Sequence, residues 1–173
     1  MKRVFSVLLA LSMMVLMVAF AEVGMAYSSS EKLELTCDSS SALKADGELT
    51  YSATNAFDSD LSTAWVEGIK GSGIGEYITV ISDRPKALKG FSIYAGYGKS
   101  DDIYYKNGRI KELSIWADGR WFQTFALRDV QKWQDCTFDE PLVAYTIDFM
   151  IESVYPGNKY EDTCLSELFL NFE

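Results

Sequence analysis

Past residue 30 the apolar residues recur mostly with period two, in short runs broken by turn residues, which is the pattern of half-buried strands rather than helices. The clearest run sets Val143, Tyr145, Ile147, Phe149 and Ile151 against Ala144, Thr146, Asp148 and Met150, and it predicts a strand with one face in the core. Similar runs span Leu33 to Cys37, Ile74 to Ile81, Leu88 to Tyr97, Arg109 to Ala117, Trp121 to Leu127, Trp133 to Phe138 and Leu165 to Phe172. Between two of them sits Asp118-Gly119, a pair suited to the positive φ angles of a two-residue hairpin turn, so the flanking strands are predicted to be antiparallel neighbours. Ser39 to Lys44 is read as a single helical turn, and no longer segment carries a helical stripe. Many short strands with regular turn signals predict an all-β sandwich or barrel, whose recognition residues sit in the loops at the strand ends.

The N-terminus breaks this pattern. Met1-Lys2-Arg3 is followed by an apolar run from Val4 to Ala21 and then by Glu22-Val-Gly-Met-Ala26, the layout of a secretory signal with cleavage expected after Ala26. An uncleaved membrane anchor is the competing reading, because the run approaches the ~18 residues at which a span becomes feasible. Residues 27–173 then form one domain, long enough to bury a core without staples.

The full chain carries a net charge of −9, and loss of residues 1–26 makes it slightly more negative. With no basic cluster to offset that charge, nucleic acid is excluded as a partner, and a membrane enters only through an uncleaved leader. Three cysteines, Cys37, Cys136 and Cys164, are bound for a compartment that permits disulfides. Antiparallel pairing of the first and last strands would bring Cys37 beside Cys164 and leave Cys136 as a small buried hydrophobe. Three free thiols are the alternative.

Histidine is absent, which removes Ser-His-Asp and Cys-His nucleophilic sites, histidine-bound zinc and the usual general base near neutral pH. Nothing marks two carboxylates as facing each other across a cleft, and Gly71-Ser-Gly-Ile-Gly75 runs into a strand rather than opening a helix. The expectation is a binding module and not an enzyme.

Two constellations carry chemistry. Asn55-Ala-Phe-Asp-Ser-Asp-Leu-Ser-Thr-Ala-Trp65 alternates Asp58 and Asp60 before Thr63, a spacing of hard oxygens that can curl around calcium or simply cap its own turns. Gly96 to Arg109 is a long polar segment with Tyr97, Lys99, Tyr104, Tyr105, Asn107 and Arg109. Rings for a sugar's C–H face, interleaved with amide and charged donors, suit a carbohydrate surface; the same tyrosines could equally plug the end of a sandwich.

The run Asn55 to Trp65-Val-Glu-Gly68, followed by Gly73-Ile-Gly-Glu-Tyr-Ile78, resembles discoidin-like domains of the coagulation factor V/VIII type C class. Together with Tyr97-Gly-Lys-Ser100, Tyr105-Lys-Asn-Gly-Arg-Ile-Lys111, Ile151-Glu-Ser-Val-Tyr-Pro-Gly157 and Asp162-Thr-Cys-Leu-Ser-Glu167, it is similar to the branch named after the translocation, or glycan-binding, domain of NAD glycohydrolases. The resemblance spans residues 36 to 173. It implies a galactose-binding-like jelly-roll sandwich and a secreted or surface-exposed glycan-binding module, with a glycan or glycoprotein as partner. It further implies a structural calcium held by Asp58, Asp60, Thr63 and Glu167, although Ser59 stands where the family often has a glycine that tightens the turn. Trp65 corresponds to a core tryptophan. Tyr97, Lys99, Tyr105, Asn107, Arg109 and Tyr155 are the ligand candidates. The rival reading is a protein-interaction module of the bacterial envelope, or an accessory to a separate hydrolase.

Overall fold

The structure, a computed structural model, describes residues 33–173, a compact unit of their own. The proposed leader and its cleavage site lie outside the described residues. Nine strands frame the unit: β1 Leu35–Ser39, β2 Trp65–Val66, β3 Tyr77–Ser82, β4 Leu88–Ala95, β5 Gly108–Ala117, β6 Arg120–Ala126, β7 Gln134–Leu142, β8 Thr146–Tyr155 and β9 Thr163–Phe172. They form two antiparallel groups, β1-β3-β8-β5-β6 and β2-β9-β4-β7. A short parallel pairing of Gly108 and Arg109 with Thr163 and Cys164 joins them.

The period-two runs bury alternate residues as predicted: Ile147, Phe149 and Ile151 of β8 face Ile78 and Val80 of β3 and Leu113 and Ile115 of β5 in the core. Phe91 of β4 sits among three aromatic rings, edge-on to Phe125 at 5.2 Å and to Phe149 at 5.3 Å and tilted against Phe138 at 5.9 Å. Such edge-to-face pairs add to the stabilisation that burial supplies. The Asp118-Gly119 hairpin is present, with φ of 46° and 75° at its two central residues and Ala117 paired to Arg120. Pro141 is tolerated within β7 because that strand pairs only with β4 and needs no N–H on its outer side.

Four expectations are corrected. Val143 and Tyr145 are exposed rather than core, because they precede β8 in a turn pinned by Asp118, whose Oδ1 accepts the N–H groups of Tyr145 and Thr146. Ser39 to Lys44 forms no helix. It runs extended beside its neighbours, with Ser40 N–H donating to the Tyr77 carbonyl and Leu43 N–H to that of Val66. A 3-10 turn lies later, at Ala53–Ala56. The segment after β4 is not all loop: Asp101–Lys106 forms a short helix, α1, capped by the Ser100 hydroxyl. Finally, Cys37 and Cys164 are free thiols, as is Cys136. The pairing premise fails, since Cys37 lies opposite Val80 of β3 while Cys164 lies opposite Val66 of β2. Burial raises the pKa of all three thiols, that of Cys136 to about 11.

Candidate functional site

The residues the sequence singled out gather in the loop that precedes β2, between β4 and the start of β5, at the end of β8 and in β9. They do so in two separate places. Tyr97 is half-buried against Ala64, Val66 and Cys164, and its hydroxyl donates to the Ser62 carbonyl at 3.2 Å. It belongs, with the exposed Lys99, to the neighbourhood of the Asp58 loop. Asn107, Arg109 and Tyr155 lie instead where β5 begins beside the end of β8.

That second group is closed on itself. Arg109, only 5% exposed, donates from Nε and Nη2 to the two carboxylate oxygens of Asp129 at 3.1 and 2.7 Å, and from Nη1 to the carbonyls of Asn107 and Pro156. Its guanidinium also lies 5.7 and 5.6 Å from the ring centres of Tyr104 and Tyr105. Four of the fork's five N–H donors are taken by the protein, and the side chain is almost wholly buried. Asn107 donates its side-chain amide to the Ile103 carbonyl at the end of α1, and the Tyr155 hydroxyl donates to the Leu127 carbonyl. In this structure all three spend these polar groups on the protein itself, Arg109 most completely. Tyr105 remains open, 46% exposed and edge-on to the buried Tyr104.

The Asp58 loop is tightly wound. Asp58 Oδ1 accepts the Asp60 N–H at 2.9 Å, Asp58 Oδ2 lies 2.7 Å from the Thr63 hydroxyl, and Ser59 between the aspartates adopts φ 64°. The tight turn is therefore kept without glycine. The Asp60 carboxylate turns away to accept the Ser62 N–H at 2.8 Å, and the Ser62 hydroxyl and N–H hold its pKa below the ordinary range. Asp60 thus contributes its backbone to the cluster and not its side chain.

Glu167 reaches the same place from β9, more than a hundred residues later. It is 4% exposed, and its Oε1 has no hydrogen-bond partner. Burial first, and the neighbouring Asp58 carboxyl second, push its pKa up to about 7. Two adjacent carboxylates, one with an orphaned buried oxygen, repel each other unless a proton or a cation lies between them. Among the described residues no three His, Cys, Asp or Glu side chains converge as a metal group. The donors present are Asp58, Glu167, the Thr63 hydroxyl and backbone carbonyls. All are hard oxygens, and that chemistry fits calcium rather than a thiophilic metal.

A cleft the sequence did not single out opens between the loop after β2 and the loop after β8. It has a volume of about 590 Å³ and is lined by Gly71, Ser72, Val154, Pro156, Gly157, Tyr160 and Glu161. Tyr160 is 42% exposed, and the Lys159 ammonium lies 4.8 Å from its ring centre. The backbone N–H of Asn158 donates to the Tyr105 carbonyl, which ties this loop to α1. Only the aromatic within Pro156-Gly-Asn-Lys-Tyr160 hinted at it in the sequence. A larger apolar groove of about 740 Å³ runs along β9, past Leu35, Phe57, Leu61, Trp133 and Phe169, with Ser59 and Glu167 in its wall. Trp65 is buried in the core and donates its indole N–H to the Ser41 carbonyl, so it is structural as expected.

Several solved structures share this fold. A family 32 module of NanJ from Clostridium perfringens, in complex with galactose, aligns with a TM-score of 0.61 at 19% identity, covering 80% of this chain and 93% of that one. The CpGH89 CBM32-5 module of the same organism, in complex with GalNAc-β-1,3-galactose, aligns with a TM-score of 0.61 at 16% identity, over 79% of this chain and 94% of that one. An F5/8 type C domain from Bacteroides fragilis gives a TM-score of 0.57 at 18% identity, over 80% and 91%. No curated protein matches the chain. The model of one family spans residues 26–171, nearly all of the described unit and the same motifs that carried the resemblance, and the chain belongs to that family, the NAD glycohydrolase translocation F5/8 type C domain.

Proposed function

We propose that this chain is a secreted or surface-exposed glycan-binding module with no catalytic activity of its own, and that the sugar binds in the cleft between residues 71–72 and 154–161. The observation that carries this reading is the cleft's make-up: an exposed tyrosine ring, a carboxylate and a serine converge on a concavity walled by Val154 and Pro156. A ring on which a pyranose can rest, flanked by a few hydroxyl-directed polar groups, is the recurring requirement of sugar recognition. The solved structures of similar fold that hold galactose and GalNAc-β-1,3-galactose support the ligand class. In this reading Tyr160 is the platform and Tyr105 extends it, while Asn107, Arg109 and Tyr155 shape the surroundings.

Calcium belongs to the same reading as a structural ion, held by Asp58, Thr63 and Glu167 with backbone carbonyls completing its shell. The negative charge that the two carboxylates concentrate is what it would neutralise.

A glycan array probed with the purified chain, with and without chelator, tests the proposal. Saturable binding that Tyr160→Ala abolishes on a folded protein is the expected result; uniform silence overturns it. The β9 groove favours a second reading, a protein-interaction module, because Trp133 and Phe169 leave apolar surface open there. Capture of a partner protein that free sugars fail to displace would select that reading.

A further inference from the structure

The segment Val66-Glu-Gly68 and Gly73-Ile-Gly-Glu76 carries no ligand candidate, yet it contains the most deeply buried carboxylate of the loop end. Glu67 is fully buried, directly after β2. Its Oε2 accepts the N–H of Ile69 at 2.9 Å, at the start of the loop bearing Gly71 and Ser72. Its Oε1 accepts the N–H of Thr163 at 3.1 Å, at the end of the loop bearing Tyr160 and Glu161. Thr163 closes the circuit, its hydroxyl donating to the Ser72 carbonyl at 2.8 Å. The loop also folds down onto the glutamate stem: a Cβ on Gly73, whose φ is 67°, would stand 2.3 Å from Glu67 Cγ. The carboxylate therefore touches the bases of both walls of the cleft, through two oxygens that only an ionised group offers as paired acceptors.

No cation pairs with it among the described residues. Burial, with the nearby Asp162 and Glu76 carboxyls adding to it, raises its pKa, and the two N–H bonds act against that shift. Glu76 is itself engaged by the hydroxyls of Ser40 and Ser41. An unpaired buried carboxylate is a costly device, and here it is spent on two loop amides rather than on the core.

We propose that Glu67 is the positioning residue of the cleft, fixing the spacing of its two walls and so setting the affinity and selectivity of whatever sugar they hold. This rests on the glycan-binding reading. The decisive variant is Glu67→Gln, which keeps the shape but replaces one of the two acceptors with a donor.

Amide hydrogen exchange on the whole chain reads the geometry without any ligand. Protection at one or both of Ile69 and Thr163 should fall at least tenfold in Glu67→Gln, because the amide keeps only one acceptor for the two N–H groups, while Phe149 in β8 is unchanged. Gly73→Ala, which presses on the same stem from the other side, should give the same signature should the glutamine variant fold poorly. In the wild type the amide proton shifts of Ile69 and Thr163 should titrate together, with a midpoint above the ordinary glutamate range, and this titration should vanish in Glu67→Gln. A generally destabilising change would not remove that paired titration.

Binding of galactose and of GalNAc-β-1,3-galactose is then compared, and the dissociation constant of whichever binds should rise at least tenfold. Unchanged protection overturns the proposal, as does lost protection with unchanged affinity. If the wild-type chain binds neither sugar, the glycan reading falls on these probes, while the exchange and titration results still decide whether Glu67 holds the walls.

Discussion

Two buried charged clusters sit near the same end of this domain, and they are built on opposite principles. Around Arg109 the charges close: the guanidinium meets both oxygens of Asp129, two backbone carbonyls and two tyrosine rings. Around Glu167 they do not: a second carboxylate is the neighbour, one oxygen has no donor, and the pKa is driven up to about 7. The first cluster is complete as it stands and acts as architecture. The second is complete only with something added, a proton or a cation. The lesson is that a conspicuous charged residue points to function when its charge is unbalanced, not merely when it is present.

The largest effect should come from opening the closed cluster. Arg109→Gln leaves the carbonyls of Asn107 and Pro156 and the Asp129 carboxylate without their donors. Breaking a buried pair by removing one partner costs about 3 kcal/mol or more. Urea denaturation should show that loss. Asp129→Asn should cost less, because Asp129 is a third exposed and water can reach it. Equal losses in both variants would mean that the ion pair with Asp129, and not the bonds to the Asn107 and Pro156 carbonyls, is what matters.

For the open cluster the expected effect is conditional on calcium. At a hundredfold excess over its dissociation constant, calcium should stabilise the wild-type chain by about 2.7 kcal/mol. That corresponds to a rise of roughly 5 to 10 °C in a thermal melt. Asp58→Asn and Glu167→Gln should each abolish most of the rise. Identical melting of wild type in calcium and in chelator would show that the cluster does not hold the ion.

In chelator the same cluster should respond to pH with a defined sign. The folded-state pKa of Glu167 is raised above its unfolded value, so the folded state holds the extra proton in the window between the ordinary glutamate range and about 7. Stability from this group is full below that window and is lost as pH rises through it. Melts from pH 5 to pH 8 should fall steadily for the wild type. They should fall less for Glu167→Gln, whose remaining slope reports Glu67, a carboxyl raised in the same direction.

The same contrast explains what the sequence could reveal. Strand positions were legible because period two and the Asp-Gly turn are local, and each strand also meets a partner that buries the same face. The separation of Cys37 from Cys164 was not legible, because strand order depends on which edges meet and β1 joins β3. Arg109 and Asn107 are legible in the sequence as donors, while the acceptors they meet in the fold, Asp129 and Ile103, are not. Tyr160, Ser72 and Glu67 were hidden for the converse reason: a glycine-rich loop and a short turn look ordinary until the fold sets them side by side.

The smallest effect sharpens the comparison at a single backbone position. Ser59 lies between Asp58 and Asp60 with φ 64°, a left-handed conformation that costs a residue with a Cβ about 1 to 2 kcal/mol and costs glycine almost nothing. Glycine also gives the unfolded chain more freedom, which offsets roughly 0.4 to 1 kcal/mol of that gain. Ser59→Gly should therefore stabilise the metal-free chain by at most about 1.6 kcal/mol, visible as a small upward shift of the urea midpoint in chelator. It should also leave the calcium response intact, since Ser59 offers only its backbone to the Asp58–Glu167 cluster. A destabilised variant would show that the serine side chain supports the loop, and a lost calcium response would show that the tight turn depends on serine for more than its φ angle.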